Sequence, residues 1–295
     1  MGYALLTALR NEAEGLERLV ASVAAQSVRP DPWILVENGS TDGTLELLAA
    51  IGKTTPWVRV ASSEPDPRRE RGASIVRALH VGLDALGPPP PAVAVLDADV
   101  TLPSEYFERL LETLDASPRL GLAGGTCYEL ENDTWRARRT TAPFVWGAAR
   151  VYRRECLQAV LPLEPRTGWD AVDVAAANAL GWETRTLPDL AFFHHRPEHS
   201  RERRRWEAWA DQGRISHYLG YRPSYLALRA LARGVRDPAA FGLVGGYAAS
   251  ALRRSPRCTR PGVRDWVRTE QRLRRLARRV AEARGGDAHN GRRSV

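Results

Sequence analysis

The sequence predicts an α/β fold with a mostly parallel central sheet, followed by a helical C-terminal extension. Three observations predict it. Over the first two hundred residues short β-rich runs alternate with amphipathic helical patterns, the signature of βαβ units. One run, Val93–Leu96, is apolar without a break, as befits a strand covered on both faces. Beyond Arg196 the texture changes to Arg- and Trp-rich helical segments interrupted at Pro223, Pro238 and Pro261. The boundary is expected at residue 200, dividing the chain into 1–200 and 201–295.

Each element has its own reason. Tyr3–Ala8 reads as a strand, and Asn11 is expected to cap the next helix, with Glu14 completing a capping box. Leu16, Leu19, Val20 and Val23 give that helix its apolar stripe. Trp33–Glu37 is the second strand, running into the turn-rich 38–43 stretch, with Ser40 or Thr41 expected to cap the helix of Leu45, Leu48 and Ile51. Trp57–Ala61 follows as a strand, and Ile75, Val76, Leu79, Leu83 and Leu86 mark a helix stopped by Gly87 and four prolines. After Val93–Leu96, a helix is expected near Ser104–Leu114, then strands over Leu120–Leu130 and Phe144–Tyr152. A helix over Gly168–Leu180 and strands over Thr184–Leu187 and Leu190–His194 complete the series.

Composition narrows the class. Of 295 residues 43% are hydrophobic and 26% charged, which excludes a disordered or collagen-like chain. Three cysteines without a CxxC pair argue against a disulfide scaffold or a structural zinc site. The longest uncharged run, Pro238 to Leu252, is too short to span a bilayer, and Arg10 and Glu12 come too early for a signal peptide's apolar core. The expectation is a non-secreted, non-spanning protein. The net charge of +8 hides a split: residues 1–200 carry a net of −7 and residues 201–295 a net of +15. Such asymmetry points to an anionic partner for one end. A nucleic-acid reader would spread positive charge over its working face, so nucleic acid is not the expected partner.

Two constellations carry chemistry. Asp97-Ala98-Asp99 stands at the carboxyl end of a buried strand, where open α/β sheets place ligands, and its carboxylates suit Mg²⁺ or Mn²⁺ with substrate phosphates. Glu37, ahead of Asn38-Gly39-Ser40-Thr41-Asp42-Gly43-Thr44, is positioned to accept from a nucleobase edge.

With Arg10-Asn11-Glu12, Gln26-Ser27, Glu37–Thr44, Arg71-Gly72-Ala73 and Asp97-Ala98-Asp99 in this order, the chain resembles a family 2 glycosyltransferase of the GT-A fold over about residues 3–196. The resemblance implies a metal-dependent inverting transferase that moves a sugar from a nucleotide-diphosphate donor to a hydroxyl of a glycan or lipid-linked acceptor. It implies donor contacts at Ala8, Arg10, Glu12, Glu37, Asn38, Arg71, Asp97, Ala98 and Asp99, and at Trp146 and Gly147 on the late strand. Glu37 stands where the family usually has Asp, and Ala8 where it often has Pro. Asp170, opening a helix after Thr167-Gly168-Trp169, falls where the family carries its base, with Asp173 the alternative. The metal is expected on Asp99, Asp97 and His194, with His195 the alternative to His194.

The tail completes the expectation. Trp266, Leu273, Leu276, Ala277 and Val280 form a stripe at helical spacing among arginines, with Phe241, Leu243, Val244 and Tyr247 upstream. That pattern suits either an anionic membrane surface at the cytoplasmic face or packing on the domain or a second copy. Arg201, Arg203, Arg204 and Arg205 could instead meet a diphosphate or an anionic acceptor. Two other readings are a sugar-nucleotide nucleotidyltransferase and a non-catalytic membrane-associated homologue. The first lacks a glycine in its expected phosphate loop at Thr7–Glu12, and the second sits poorly with the acidic set at 97, 99 and 170.

Overall fold

A computed structural model describes residues 1–64, 72–131, 133–138, 140, 143–196, 205–235 and 237–272. It divides into two compact units, Met1–Arg138 with Pro143–Pro197, and Arg139–Ala142 with Glu198–Val295.

The first unit is built on a nine-stranded mixed sheet. Its first half runs β1 (Tyr3–Leu9), α1 (Ala13–Ala24), β2 (Trp33–Glu37), α2 (Thr44–Thr54), β3 (Val58–Ser62), α3 (Ala73–Leu86) and β4 (Ala92–Leu96). These strands pair in parallel in the order β3-β2-β1-β4. Strands β1, β2 and β4 are almost wholly buried, which is why they read as continuous apolar runs. Trp33 anchors this half, its indole donating to Thr7 Oγ1 at 3.0 Å.

The second half runs β5 (Val100–Thr101), α4 (Tyr106–Ala116), β6 (Leu120–Glu131), β7 (Thr134–Arg138), β8 (Ala149–Arg153), α5 (Arg154–Val160), α6 (Trp169–Ala179) and β9 (Glu183–His194). Here pairing turns mostly antiparallel: β8 joins β4 to β6, β7 joins β6, and β5 joins β9, while β6 and β9 are parallel.

Several sequence expectations change in this half. The run 144–152 is a strand only from Ala149; before it the chain is a loop. The two late strands are one, β9, whose register with β6 shifts between Gly125 and Thr126. A Cβ at residue 125 would lie 2.4 Å from the Leu190 carbonyl oxygen, so only glycine lets the strands approach there.

The two helix starts also differ. Asn11 does not cap α1; it sits at φ +55, and its side-chain oxygen accepts from the Thr41 amide at 2.7 Å. Gly43, not Ser40 or Thr41, precedes α2, and Asp42 accepts from the Thr44 amide at 3.0 Å. Short polar side chains bonded the neighbouring loop instead of their own helix.

The second unit is helical: α7 (Arg205–Tyr218), α8 (Pro223–Gly234), a 3₁₀ turn (Pro238–Phe241), α9 (Gly242–Leu252) and α10 (Val263–Glu270). Leu226, Ala230, Leu243 and Tyr247 form its buried cluster, joined by Trp209 and Tyr221. Among the described residues no helix is long and apolar enough to cross a membrane.

Candidate active site

The loops leaving β1, β2 and β4 share one rim of the sheet, because these strands are parallel neighbours. Ala8 and Arg10, both half-buried, stand where β1 ends, and Glu37 and Asn38, both buried, where β2 ends. The Asn38 amide donates to the Leu9 carbonyl at 3.0 Å, and the Glu37 carboxylate accepts from the Ser40 amide. Asn38 Oδ1 also accepts from Ser63 at 3.1 Å. Four further bonds, from the amides of Asn11, Thr41, Glu12 and Ala13 to Ser40, Asn11, Thr44 and Asp42, bind the first loop to the second.

The Asp97-Ala98-Asp99 turn lies between β4 and β5, and β5 pairs with the end of β9, matching Val100 to His194. That pairing brings His194 Nε2 to 3.1 Å from Asp99 Oδ1. Ligand atoms of Asp97, Asp99 and His194 all lie within 4.8 Å of one another. His195 faces elsewhere: its ring hydrogen-bonds Thr101 Oγ1 at 2.9 Å and stands edge-on to Trp135.

Charge state follows from this crowding. Burial, the neighbouring Asp99 and then Asp170 push Asp97 up to about 7, against the pull of His194 and Arg150. Burial opposes the charge on His194, but hydrogen bonds to Asp99 and Cys127 outweigh it and raise the imidazole to about 11. Burial likewise works against an ionised Asp99, yet its contact with His194 holds it below the usual carboxylate range. Two carboxylates and an imidazole fit a divalent ion that takes oxygen and nitrogen ligands, and the repulsion felt by Asp97 is what a dication relieves.

The loop 146–148 closes the other side. The Asp97 amide donates to the Ala148 carbonyl at 2.8 Å. A Cβ on Gly147 would lie 3.2 Å from Asp170 Cβ and 3.3 Å from its Oδ2. Asp170 stands in the first turn of α6, where its Oδ1 accepts from the Ala171 amide at 3.0 Å. Asp173, one turn on, is buried and committed. Arg150 Nη1 donates to its two oxygens at 2.9 and 2.8 Å, and the Tyr152 hydroxyl donates to it as well. Trp146 packs partly buried against the core, edge-on to Phe144, and its carbonyl accepts from Arg150 Nε at 2.8 Å.

This rim of loops on a half-parallel sheet bears directly on the family. The sequence pattern described as "Glycosyl transferase family 2" matches residues 5–161, more than half of the chain. The chain belongs to glycosyl transferase family 2. Comparison with curated proteins gives no match. Among solved structures this glycosyltransferase is similar to S. aureus TarS 1-349, at 16% identity over 73% of this chain and 64% of that one, with a TM-score of 0.53. It is also similar to the mannosyltransferase PcManGT from Pyrobaculum calidifontis in complex with GDP-Man and Mn²⁺. There identity is 16% over 97% and 87% of the two chains, with a TM-score of 0.52. GalNAc-T7 with UDP, GalNAc and Mn²⁺ gives 14% identity over 69% and 45%, with a TM-score of 0.55. The chain spans 64% and 40% of the lengths of the first two TarS structures it matches. At these identities the likeness establishes the shared GT-A fold.

Other expected site residues of the transferase are placed as follows. The Glu12 carboxylate is buried and held by both terminal nitrogens of Arg196, one of them at 2.8 Å from Oε1. Ala98 is buried within the turn. Arg71 lies outside the described residues, as do Arg201, Arg203 and Arg204. Its neighbour Gly72 sits at φ +78, where a Cβ would be 2.5 Å from the Arg166 carbonyl oxygen, so the start of α3 abuts the loop leading into α6.

Sequence reasoning missed Arg150, Tyr152, Cys127 and Arg196. Arg150 had a usable signal: an arginine inside an otherwise apolar strand must find a buried counter-charge, and Asp173 was available. Burial works against its charge, but Asp173, Tyr152 and Asp170 raise its pKa above the ordinary guanidinium value.

Proposed function

We infer that this glycosyltransferase is a metal-dependent inverting enzyme. It moves one sugar from a nucleotide-diphosphate donor to a hydroxyl on a glycan or lipid-linked acceptor, at the cytoplasmic face of a membrane. The catalytic domain is proposed as residues 1–200 and the Arg-rich extension as 201–295. One observation carries the reading: Asp97, Asp99 and His194 cluster on the rim, and the loop whose Ala148 carbonyl accepts from the Asp97 amide packs at Gly147 against Asp170. PcManGT and GalNAc-T7, which share the fold, were solved with nucleotide-type ligands and Mn²⁺, and this supports the same ligand classes here.

In the proposed reaction the acceptor oxygen attacks the anomeric carbon as the bond to the diphosphate breaks. The acceptor proton passes to Asp170, and the nucleoside diphosphate leaves with the bonding electrons. Asp170 Oδ1 is held by its own helix, which leaves Oδ2, over Gly147, as the oxygen that takes the proton. Ala8, Arg10, Glu37, Asn38 and Arg71 are proposed to receive the nucleoside, with Trp146 and Gly147 beside the sugar. Glu12 serves by fixing Arg196 and the first loop. Asp97, Asp99 and His194 would hold a divalent ion, Mg²⁺ or Mn²⁺, which when bound supplies positive charge to the diphosphate.

A donor-consumption screen over UDP-, GDP- and dTDP-sugars, with Mn²⁺, Mg²⁺ or chelator, tests the proposal. Cleavage of one donor class, dependent on the ion and absent in Asp99→Asn, is expected. Equal turnover in chelator, or none with any donor while the protein is folded, refutes it.

A further inference from the structure

The helical unit has an outer face that its own packing does not explain. Helix α9 lies against α7 through Gly242 and Gly246, whose hypothetical Cβ atoms would fall 2.5 and 1.9 Å from the Trp206 and Ala210 carbonyl oxygens. Leu243, Tyr247 and Ser250 are buried on that side. The opposite side carries Val244, Gly245, Ala248, Ala251 and Leu252, all exposed, without one charged or hydrogen-bonding side chain. Val244 is 41% and Leu252 85% exposed. A water-facing helix surface normally takes polar residues, so a stripe at i, i+4 and i+8 that is wholly apolar calls for a partner.

Charge names that partner. The chain leaving α9 places Arg253, Arg254 and Arg257 in solvent, followed by Arg260 and Arg264, with no acidic residue before Asp265. An apolar stripe ending in arginines matches an anionic lipid surface, where the stripe enters the acyl boundary and the guanidinium groups meet headgroup phosphates. Two copies of this chain would bring together extensions of net +15 each, which repel. Helix α9, at 11 residues, is about 16 Å long and lies in the interface without crossing it. The stripe anticipated over 266–280 is a poorer candidate in its described part: Val263 and Val267 are buried and Trp266 half-buried, and residues 273–280 lie outside the described residues.

We propose that the Val244/Ala248/Leu252 face of α9, with Arg253, Arg254 and Arg257, docks this protein on anionic lipid bilayers. This narrows the membrane part of the functional reading to one face and does not depend on sugar transfer. The test is co-sedimentation of the full chain with phosphatidylcholine vesicles, with and without phosphatidylglycerol, alongside sedimentation velocity without lipid. Binding is expected only with phosphatidylglycerol and should weaken as salt rises. Arg253→Ser with Arg254→Ser should lower partitioning about twenty-five-fold, at about fivefold per arginine. Val244→Glu with Leu252→Glu should abolish it, with thermal unfolding as the check on folding. Leu252→Glu alone, at the last exposed turn, guards against a misfolded double variant. Absence of binding to phosphatidylglycerol vesicles overturns the proposal, as does binding indifferent to the glutamates. A self-association dissolved by the glutamates, without vesicle binding, overturns it in favour of a second copy. Donor consumption, measured separately, stands or falls on its own.

Discussion

Arg150 grips both oxygens of Asp173 with a single nitrogen, at 2.9 and 2.8 Å, where the two side chains are 0% and 4% exposed. The same guanidinium lies over the Trp169 ring at 5.2 Å and donates to the Val145 and Trp146 carbonyls. It therefore fixes both the loop before β8 and the first turn of α6, the two segments that meet at Asp170. Asp173 holds the frame, which leaves Asp170 for the base role proposed above. Asp173→Asn should cost about 3–5 kcal/mol in urea unfolding, because it strands a buried guanidinium. Its folded fraction should still turn over donor. Asp170→Asn should unfold like the parent yet transfer about a hundredfold to ten-thousandfold more slowly. Reversal of these two outcomes would exchange the roles.

Ion binding separates the cluster members. Asp99→Asn and His194→Ala should each flatten a Mn²⁺ titration of the nucleotide-free protein, and chelation of the parent should stop transfer. Cys127 hydrogen-bonds the His194 imidazole, so Cys127→Ser should weaken Mn²⁺ about tenfold by loosening the ring without removing a ligand. An unchanged isotherm in His194→Ala would remove the histidine from the ion's shell.

Gly147→Ala probes the space over Asp170. The added methyl meets the carboxylate side chain at 3.2–3.3 Å, close enough to displace it by a few tenths of an ångström without breaking the fold. Steady-state kinetics should show kcat lower by about tenfold to a hundredfold, with the donor KM nearly unchanged. A KM effect alone would assign the loop to donor binding.

The contribution of His217 to stability should fall on acidification below about pH 6.5, against the opposite contributions of the raised Asp97 and His194. This side chain is 3% exposed and edge-on to Tyr247, and burial, then Arg257, depress its pKa. A depressed histidine is neutral in the folded protein while the unfolded chain takes up the proton. The stability is therefore complete above the unfolded value and lost as pH drops through it. Burial depresses His80 and His195 in the same direction. In urea unfolding from pH 8 to 5 the parent should lose stability relative to His217→Gln as pH falls; the same pH dependence in parent and variant would exclude His217.

The parallel half of the sheet was legible because its strands are buried on both faces and its turns carry Gly, Asp and Asn. From β1 to β4 the order of strands and helices agreed with the pattern, the caps at Asn11 and Ser40 apart. The antiparallel half was not, since strand pairing there depends on partners distant in the chain. Nothing local announces that 144–148 is a loop, or that 183–194 is one strand with a bulge opposite Gly125. Asp97, Asp99, Asp170 and His194 could be named as candidates because motif order carries them, whereas Arg150 and Arg196 act through partners 23 and 184 residues away. The misplaced caps at Asn11 and Ser40 share one cause: these side chains bond across loops, a choice that local spacing cannot express.

The turn bearing Asp97 and Asp99 is stitched into backbone ladders on both flanks, through β4 to β8 and through β5 to β9. Like charges on a mobile loop would drift apart until water quenched their quarrel. Here they are denied that escape, and relief beyond what the His194 imidazole supplies to Asp99 comes as a proton or a visiting positive charge. This corner of the molecule is consequently ion-responsive: acid and counter-ions should tighten it, while alkaline, ion-poor solution should leave it under tension.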